Sequence, residues 1–324
     1  MEFLTTYQKQ IADALTNVNQ EKSPQGLYAP IDYLLALGGK RLRPALALMA
    51  CEAFGKEPLA ALPAAKAVEI FHNFTLMHDD IMDKAVVRRG AQTVHEKWDV
   101  NTAILSGDAM LVQAYECLNV YDATLFQSLT KLLSKTALEV CEGQQYDVDF
   151  ESRDDVRIEE YLEMIRLKTS VLVGCALQMG AQIAGASDAD ARQLYAFGEQ
   201  LGIAFQLQDD YLDTFGDVAS FGKRIGGDIV ENKKTILVHL TAKNGTPAQL
   251  EKLRSLFAET AKDESQKITA VTQLFQDAGA DTATLKQVQH YTQKAFETLE
   301  KVSLSQEMKQ RFIAFGNGLM QRTH

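Results

Sequence analysis

Asp79, Asp80 and Asp83 stand together at the end of an apolar stretch that begins at Ile70, and Asp209, Asp210 and Asp213 repeat that spacing after a second one. On a helix, residues four apart lie about 40° from each other around the axis, with Cβ atoms about 5–6 Å apart. Asp79 and Asp83 therefore share a face, and so do Asp209 and Asp213. Like charges held so close cost energy unless a proton or a cation comes between them. One such cluster reads equally well as a solvated acidic turn. Two clusters, each carried by a buried-looking helix, point to a single cavity that both face.

Cationic residues stand near the first cluster. Lys40, Arg41 and Arg43 follow Gly38-Gly39 and adjoin Pro44, which is placed to open a helix from Ala45. Cations beside the outward-pointing amides of a helix start suit a phosphate, although a basic loop on an acidic surface has the same composition. Arg88 and Arg89 come just after the acidic end. Arginine forks grip diphosphate oxygens well, and they equally form salt bridges within a loop. His72 lies seven residues before Asp79, two turns away on nearly the same face, as either a core residue or a ligand contact.

These groups must be carried by helices. Apolar residues recur at the 3.6-residue period along the whole chain and no strand pattern of any length emerges, so the fold class is all-α. The 324 residues can bury a large core, and without a Pro/Ser/Gly-rich linker or a low-complexity run they read as one domain, 1–324, a helical bundle around a central cavity. A formal charge of −10 argues against nucleic acid as a partner. Cys51, Cys117, Cys141 and Cys175 are widely spaced, which fits reduced thiols in a cytoplasmic protein and gives no zinc signature. The opening residues soon meet Lys9 and Asp13, so they lack the apolar core of a signal peptide. Ser170 to Ala186 is uncharged but short for a membrane span, and reads as a central helix. A helix from Leu125 to Val140 leads to Gly143-Gln144 and Asp147; another, from Glu159, ends at Lys168-Thr169. Thr214 to Asp228 is a polar, Gly-rich loop of the kind that carries ligand contacts.

Taken together, the chain resembles the trans (E)-polyprenyl diphosphate synthases, the farnesyl and geranylgeranyl diphosphate synthases and their longer-chain relatives. The motifs occur in family order: Gly-Gly-Lys-Arg-Leu-Arg-Pro at 38–44, the two Asp-rich motifs at 79–83 and 209–213, Arg88-Arg89-Gly90, Gly143-Gln144 with Asp147, Lys168-Thr169, and Lys223, Asp228 and Lys233. The resemblance implies a homodimer and a head-to-tail condensation of isopentenyl diphosphate with an allylic diphosphate (dimethylallyl, geranyl or farnesyl), assisted by Mg²⁺, three ions per active site. By motif position Asp79, Asp83 and Asp209 are metal ligands, while Asp80, Asp210, Asp213 and Asp228 complete the acidic machinery. Arg88, Lys168, Thr169, Gln206, Lys223 and Lys233 would hold the allylic diphosphate, the lysines also aiding its departure. Lys40, Arg43, His72 and Arg89 would hold isopentenyl diphosphate. Lys234, beside Lys233, leaves the register of the last lysine open by one residue.

The family limits product length by bulk upstream of the first Asp-rich motif, here Phe74 and Thr75, with Tyr115 on the next helix as a second plug. That pattern implies a C20 product, geranylgeranyl diphosphate, with farnesyl diphosphate as the alternative. On an ideal helix Thr75 lies under Asp79 and Phe74 roughly 140° away, so geometry alone does not make Phe74 the floor. A class I terpene cyclase usually replaces the second Asp-rich motif with an Asn/Ser/Glu-type one. A non-catalytic regulatory subunit tends to lose both motifs. Here both stand.

Overall fold

The computed structural model describes residues 2–16, 18–216, 225–258 and 263–321. In chain order its helices are α1 (Glu2–Leu15), α2 (Gln25–Ala36), α3 (Leu42–Ala53), α4 (Leu62–Met82), α5 (Val94–Lys97), α6 (Val100–Glu116), α7 (Ala123–Glu151) and α8 (Ile158–Ile165). Next are α9 (Val171–Ile183), α10 (Asp188–Phe215), α11 (Gly227–Val230), α12 (Ile236–Asn244), α13 (Pro247–Ala258), α14 (Glu264–Asp277), α15 (Ala280–Glu300) and α16 (Gln306–Met320). The chain is all-α. Among the described residues, strand structure is limited to a short antiparallel pair, β1 (Val87–Arg88) with β2 (Ala91–Gln92), Arg88 opposite Ala91. Arg89 and Gly90 join them with φ of 54° and 78°. Two positive φ values are what a type I′ hairpin turn requires. Among the described residues no helix is long and apolar enough to cross a membrane.

The chain divides into two compact units, residues 1–135 with 175–195, and residues 136–174 with 196–324. In the first unit every residue of α3 from Pro44 to Cys51 is buried, as expected for an interior helix that is apolar all round. The helix starts at Leu42, ahead of the position that Pro44 predicts, because proline in a first turn removes no hydrogen bond. Arg43 therefore lies inside the helix rather than before it. α4 packs against α3 and α6. Its buried face runs through Ala64, Ala67, Val68 and Phe71, and leads to Asp80.

The second unit is built on Leu207, Ile236, Leu237, Val271 and Phe275, each almost wholly buried. Full burial of a side chain of that size contributes about 1.5–3 kcal/mol. Phe197 of α10 meets Phe312 of α16 edge-on at 5.7 Å. Two boundaries differ from the sequence reading. α7 continues through Gly143 to Glu151 instead of ending near Val140. Between α8 and α9 the chain does not break at Lys168-Thr169 but widens into a π-helical turn, Arg166–Ser170.

Candidate active site

The first acidic motif closes α4, with Asp83 as its C-terminal cap and the Asp83 N–H donating to the Asp79 carbonyl at 2.9 Å. Asp80 is only 1% exposed. It accepts two hydrogen bonds from Arg88, Nε at 2.9 Å and Nη2 at 2.5 Å, and Arg88 Nη2 also stands 3.7 Å from Asp79 Oδ2. Burial raises the Asp80 pKa, and the Arg88 contacts oppose that rise. For Arg88, burial acts to lower the pKa, but the hydrogen bond and charge of Asp80, with Asp79 and Asp83, raise it and keep the guanidinium charged.

His72, on the same helix, forms a basic cluster with Arg43 of α3 and Arg89 of the hairpin turn. Arg43 Nη1 lies 3.3 Å from His72 Nε2, while Arg43 Nε is buried with no hydrogen-bond partner in the protein. Arg89 lies across Gly39, where a Cβ would come within 2.9 Å of its guanidinium carbon, and donates to the Gly38 carbonyl. Gly39 is thus a position where any side chain would displace an arginine. Burial first, then the charges of Arg43 and Arg89, holds the His72 pKa well below the usual histidine value. A neutral imidazole beside crowded guanidiniums, one with an orphaned donor, is an arrangement an anionic ligand would relieve.

Arg41 departs from its neighbours. It turns inward to pair with Glu69 and donates to the Leu35 carbonyl, the pair being 5% and 3% exposed. Asn73 Nδ2 supports Glu69 Oε1 at 3.1 Å. Of the three cations flanking Pro44, this one is structural. Removing one partner of such a buried pair costs about 3–5 kcal/mol. A lone charge on the apolar face of α4, Glu69, is the signal that could have revealed it.

In the second unit, Lys168 Nζ meets Asp147 Oδ2 at 2.6 Å from within the π turn that also carries Thr169. Asp213 Oδ2 accepts from the Asp228 N–H at 3.0 Å, tying α10 to the start of α11. The Asp228 pKa is pushed up to about 6 by burial and by the charge of Asp213, with Asp209 contributing and Lys233 opposing. Lys233 Nζ stands 3.8 Å from Asp228 Oδ1. Lys234 points elsewhere: its Nζ meets the carbonyls of Phe150, Glu151 and Arg153 and the Asp154 carboxylate, capping the C-terminal end of α7. Lys223 lies outside the described residues.

Asp210, grouped by sequence with the catalytic carboxylates, is 5% exposed and hydrogen bonded entirely within the protein. Tyr161 donates to Oδ2, Gln206 Nε2 to Oδ1 at 3.1 Å, and the Ile236 N–H to Oδ2 at 3.3 Å. Burial and the Asp228 charge push its pKa up to about 7. No sequence signal marks Tyr161 for this contact, 49 residues from Asp210.

Upstream of the first motif, Phe74 is half-buried and packs edge-on to His78 at 4.8 Å and near Phe71 at 5.6 Å. Thr75 Oγ1 donates to the His72 carbonyl at 2.8 Å, and the Tyr115 hydroxyl to Ser134 Oγ at 3.2 Å. A cavity of about 460 Å³ between α1 and α2 is lined by Lys9, Asp32 and Arg41 among others, and by none of the motif aspartates. Among the described residues, no group of three or more His, Cys, Asp or Glu is gathered tightly enough to hold a metal ion alone. The donor set still suits Mg²⁺, which takes oxygen ligands and is commonly held by one or two carboxylates plus substrate phosphates.

An all-α fold with two aspartate motifs, and with Arg88 beside the first, suits a class of enzymes acting on diphosphates. The polyprenyl synthetase family matches residues 24–275. A geranylgeranyl pyrophosphate synthase of Geoglobus acetivorans is 36% identical over 326 aligned residues, covering 100% of this chain and 99% of its own. A geranylfarnesyl diphosphate synthase of Natronomonas pharaonis is 38% identical over 83% of this chain and 82% of its own. A crystal structure of a geranylgeranyl pyrophosphate synthase superposes with a TM-score of 0.93 at 50% identity, covering 99% of this chain and 98% of that one. The chain belongs to the polyprenyl synthetase family and is a prenyltransferase.

Proposed function

We propose that this chain joins isopentenyl diphosphate head-to-tail to an allylic diphosphate and stops at the C20 product, geranylgeranyl diphosphate. The observation that carries the reading is α4 itself, which bears His72 within a basic cluster and, two turns on, Asp79, with Asp83 as its cap. An anion-binding site and a cation-binding site thus share one rigid helix. The names of the relatives at 36% identity and of the solved structure at 50% identity support the product.

In this reading Lys40, Arg43, His72 and Arg89 hold isopentenyl diphosphate, and the orphaned Arg43 Nε gains an acceptor. Arg88, Lys168, Thr169, Gln206, Lys223 and Lys233 hold the allylic diphosphate. Asp79, Asp83 and Asp209 are the ligands for Mg²⁺, three ions per site. Bound Mg²⁺ would draw charge from the allylic diphosphate and make it a leaving group. Lys168 and Lys233 stabilise the charge that builds on the same oxygens as the C1–O bond breaks. The isopentenyl double bond attacks the allylic C1, and the proton it then sheds passes to the released diphosphate. No protein nucleophile is needed.

A second copy of the chain is the proposed partner. It is supported by the outward face of α6, where Ile104, Leu105 and Val112 are 40%, 60% and 59% exposed. The four cysteines, none of them in a disulfide, suit a reducing cytoplasm.

The test is to incubate the protein with isopentenyl diphosphate, Mg²⁺ and each of dimethylallyl, geranyl and farnesyl diphosphate, then chromatograph the alcohols after phosphatase. Geranylgeraniol as the end product is expected, and no condensation with any primer would overturn the assignment. Phe74→Ser is expected to lengthen the product by at least one isoprene unit. An unchanged length distribution would remove Phe74 as the stop.

A further inference from the structure

The π turn Arg166–Ser170 carries Lys168 and Thr169 but holds no proline or glycine that would force it. Such a turn inserts one residue into the helical repeat, rotating the downstream helix by about 100° relative to a continuous α-helix. The π form is rare, so neighbouring structure must favour it. Ser170 Oγ reaches back five residues to the Ile165 carbonyl, at 3.3 Å.

Two helices press on the widened turn, each through a glycine. On α7, a Cβ at Gly143 would stand 2.3 Å from Lys168 N, 2.7 Å from Lys168 Cα and 2.8 Å from Leu167 C. On α10, a Cβ at Gly202 would stand 2.8 Å from Ser170 Cα and Cβ. At Gly143 the obstructing atoms are backbone, and at Gly202 they include Cα, so neither clash is relieved by turning a side chain away. The bulge occupies the space that side chains at 143 and 202 would otherwise fill. Gly143 and Asp147 also lie four apart on α7, so the helix that shapes the bulge also presents a carboxylate to Lys168.

We propose that Gly143 and Gly202 are positioning residues. They mould the π turn from two sides and thereby aim Lys168 and Thr169 at the allylic diphosphate. This inference rests on the function proposed above for Lys168 and Thr169. The plain alternative is tight helix packing without consequence for substrate, and Gly180 supplies the comparison. A Cβ there would stand 2.1 Å from the Ala47 carbonyl of α3, an equally severe clash that involves no residue assigned to a diphosphate.

The experiment measures kcat, KM for each substrate and melting temperature for Gly143→Ala, Gly202→Ala and Gly180→Ala. Displacing a binding group by about 1 Å can cost up to about 100-fold, so KM for the allylic diphosphate is expected to rise about tenfold or more in the first two variants. KM for isopentenyl diphosphate should change less than about twofold. Gly180→Ala should lower the melting temperature while leaving the ratio of the two KM values at its wild-type value. Gly202→Ala, the milder clash, decides the matter if Gly143→Ala does not fold. Adding Ser170→Gly to Gly202→Ala, which removes Ser170 Cβ and Oγ, should recover part of the lost allylic affinity. Folded variants with unchanged KM values, or with both KM values moving together as in Gly180→Ala, would overturn the proposal. So would failure of every Gly143 and Gly202 variant to fold, which makes the contacts structural alone. A wild-type protein that condenses no substrates sinks the proposed function instead, so the two failures are distinguishable.

Discussion

The two acidic motifs share one spacing and are braced in opposite ways. In both, the middle aspartate is buried: Asp80 at 1% and Asp210 at 5% exposure. Asp80 is met by a full positive charge, Arg88, eight residues along the chain. Asp210 is met by neutral donors alone, from Tyr161, Gln206 and the N–H of Ile236, the first 49 residues away. The first motif is an ion pair closed by a hairpin. The second is a junction where α8, α10 and α12 converge on one carboxyl group whose pKa reaches about 7. Motifs of one spacing thus brace their middle aspartates with different chemistry, and the difference is open to experiment.

The largest effects test what the motifs are expected to share. Asp79→Ala and Asp209→Ala should each lower kcat by about 10²–10³-fold or more, as loss of a group stabilising transition-state charge does. Chelation of Mg²⁺ should abolish turnover of the wild type. Near-normal rates in either variant, measured by radiolabelled isopentenyl diphosphate incorporation, would break the equivalence. Next come the middle aspartates. Asp80→Asn removes the nearest charge partner of Arg88, leaving Asp79 at 3.7 Å, and should cost about 2 kcal/mol, discounted because that arginine is partly exposed. Asp210→Asn keeps an acceptor for Tyr161 and should cost less than about 1 kcal/mol. Urea titrations at pH 7 check the order, and a larger loss for Asp210→Asn would invert the contrast.

The smallest effect concerns pH. His239 packs 5.1 Å from the Tyr161 ring, and burial lowers its pKa. Below about pH 6.5 the unfolded chain binds a proton that folded His239 refuses, so its contribution lowers stability on acidification, by at most about 1.4 kcal/mol per pH unit. Asp210 and Asp228, raised to about 7 and about 6, contribute in the opposite sense. His239→Gln should remove the histidine's contribution, so that the melting temperature falls less or rises more than in the wild type between pH 6.5 and pH 5. An unaltered slope would mean that His239 protonates without penalty.

Much of this organisation is legible in the sequence wherever partners are close along the chain. The helical period, the i, i+4 aspartates and the proximity of Arg88 to Asp80 are local, and the structure reproduces them. Other features are set by distant contacts. Arg41 looks like Lys40 and Arg43 in composition, yet it is drawn inward by Glu69, 28 residues on. Lys233 and Lys234 cannot be ranked from sequence, because the end of α7, about 80 residues earlier, captures the second of them. The π turn is equally hidden, since Arg-Leu-Lys-Thr-Ser is ordinary helix-compatible sequence and only its neighbours widen it.

That pair of adjacent lysines has a chemical corollary. Lys233 has a side chain 55% exposed, while Lys234 is 21% exposed and its ammonium is wrapped by backbone oxygens. An amine-directed acylating reagent at low dose should modify the former well before the latter. Peptide mapping after such a pulse would read the crowding around each nitrogen as a difference in labelling rate.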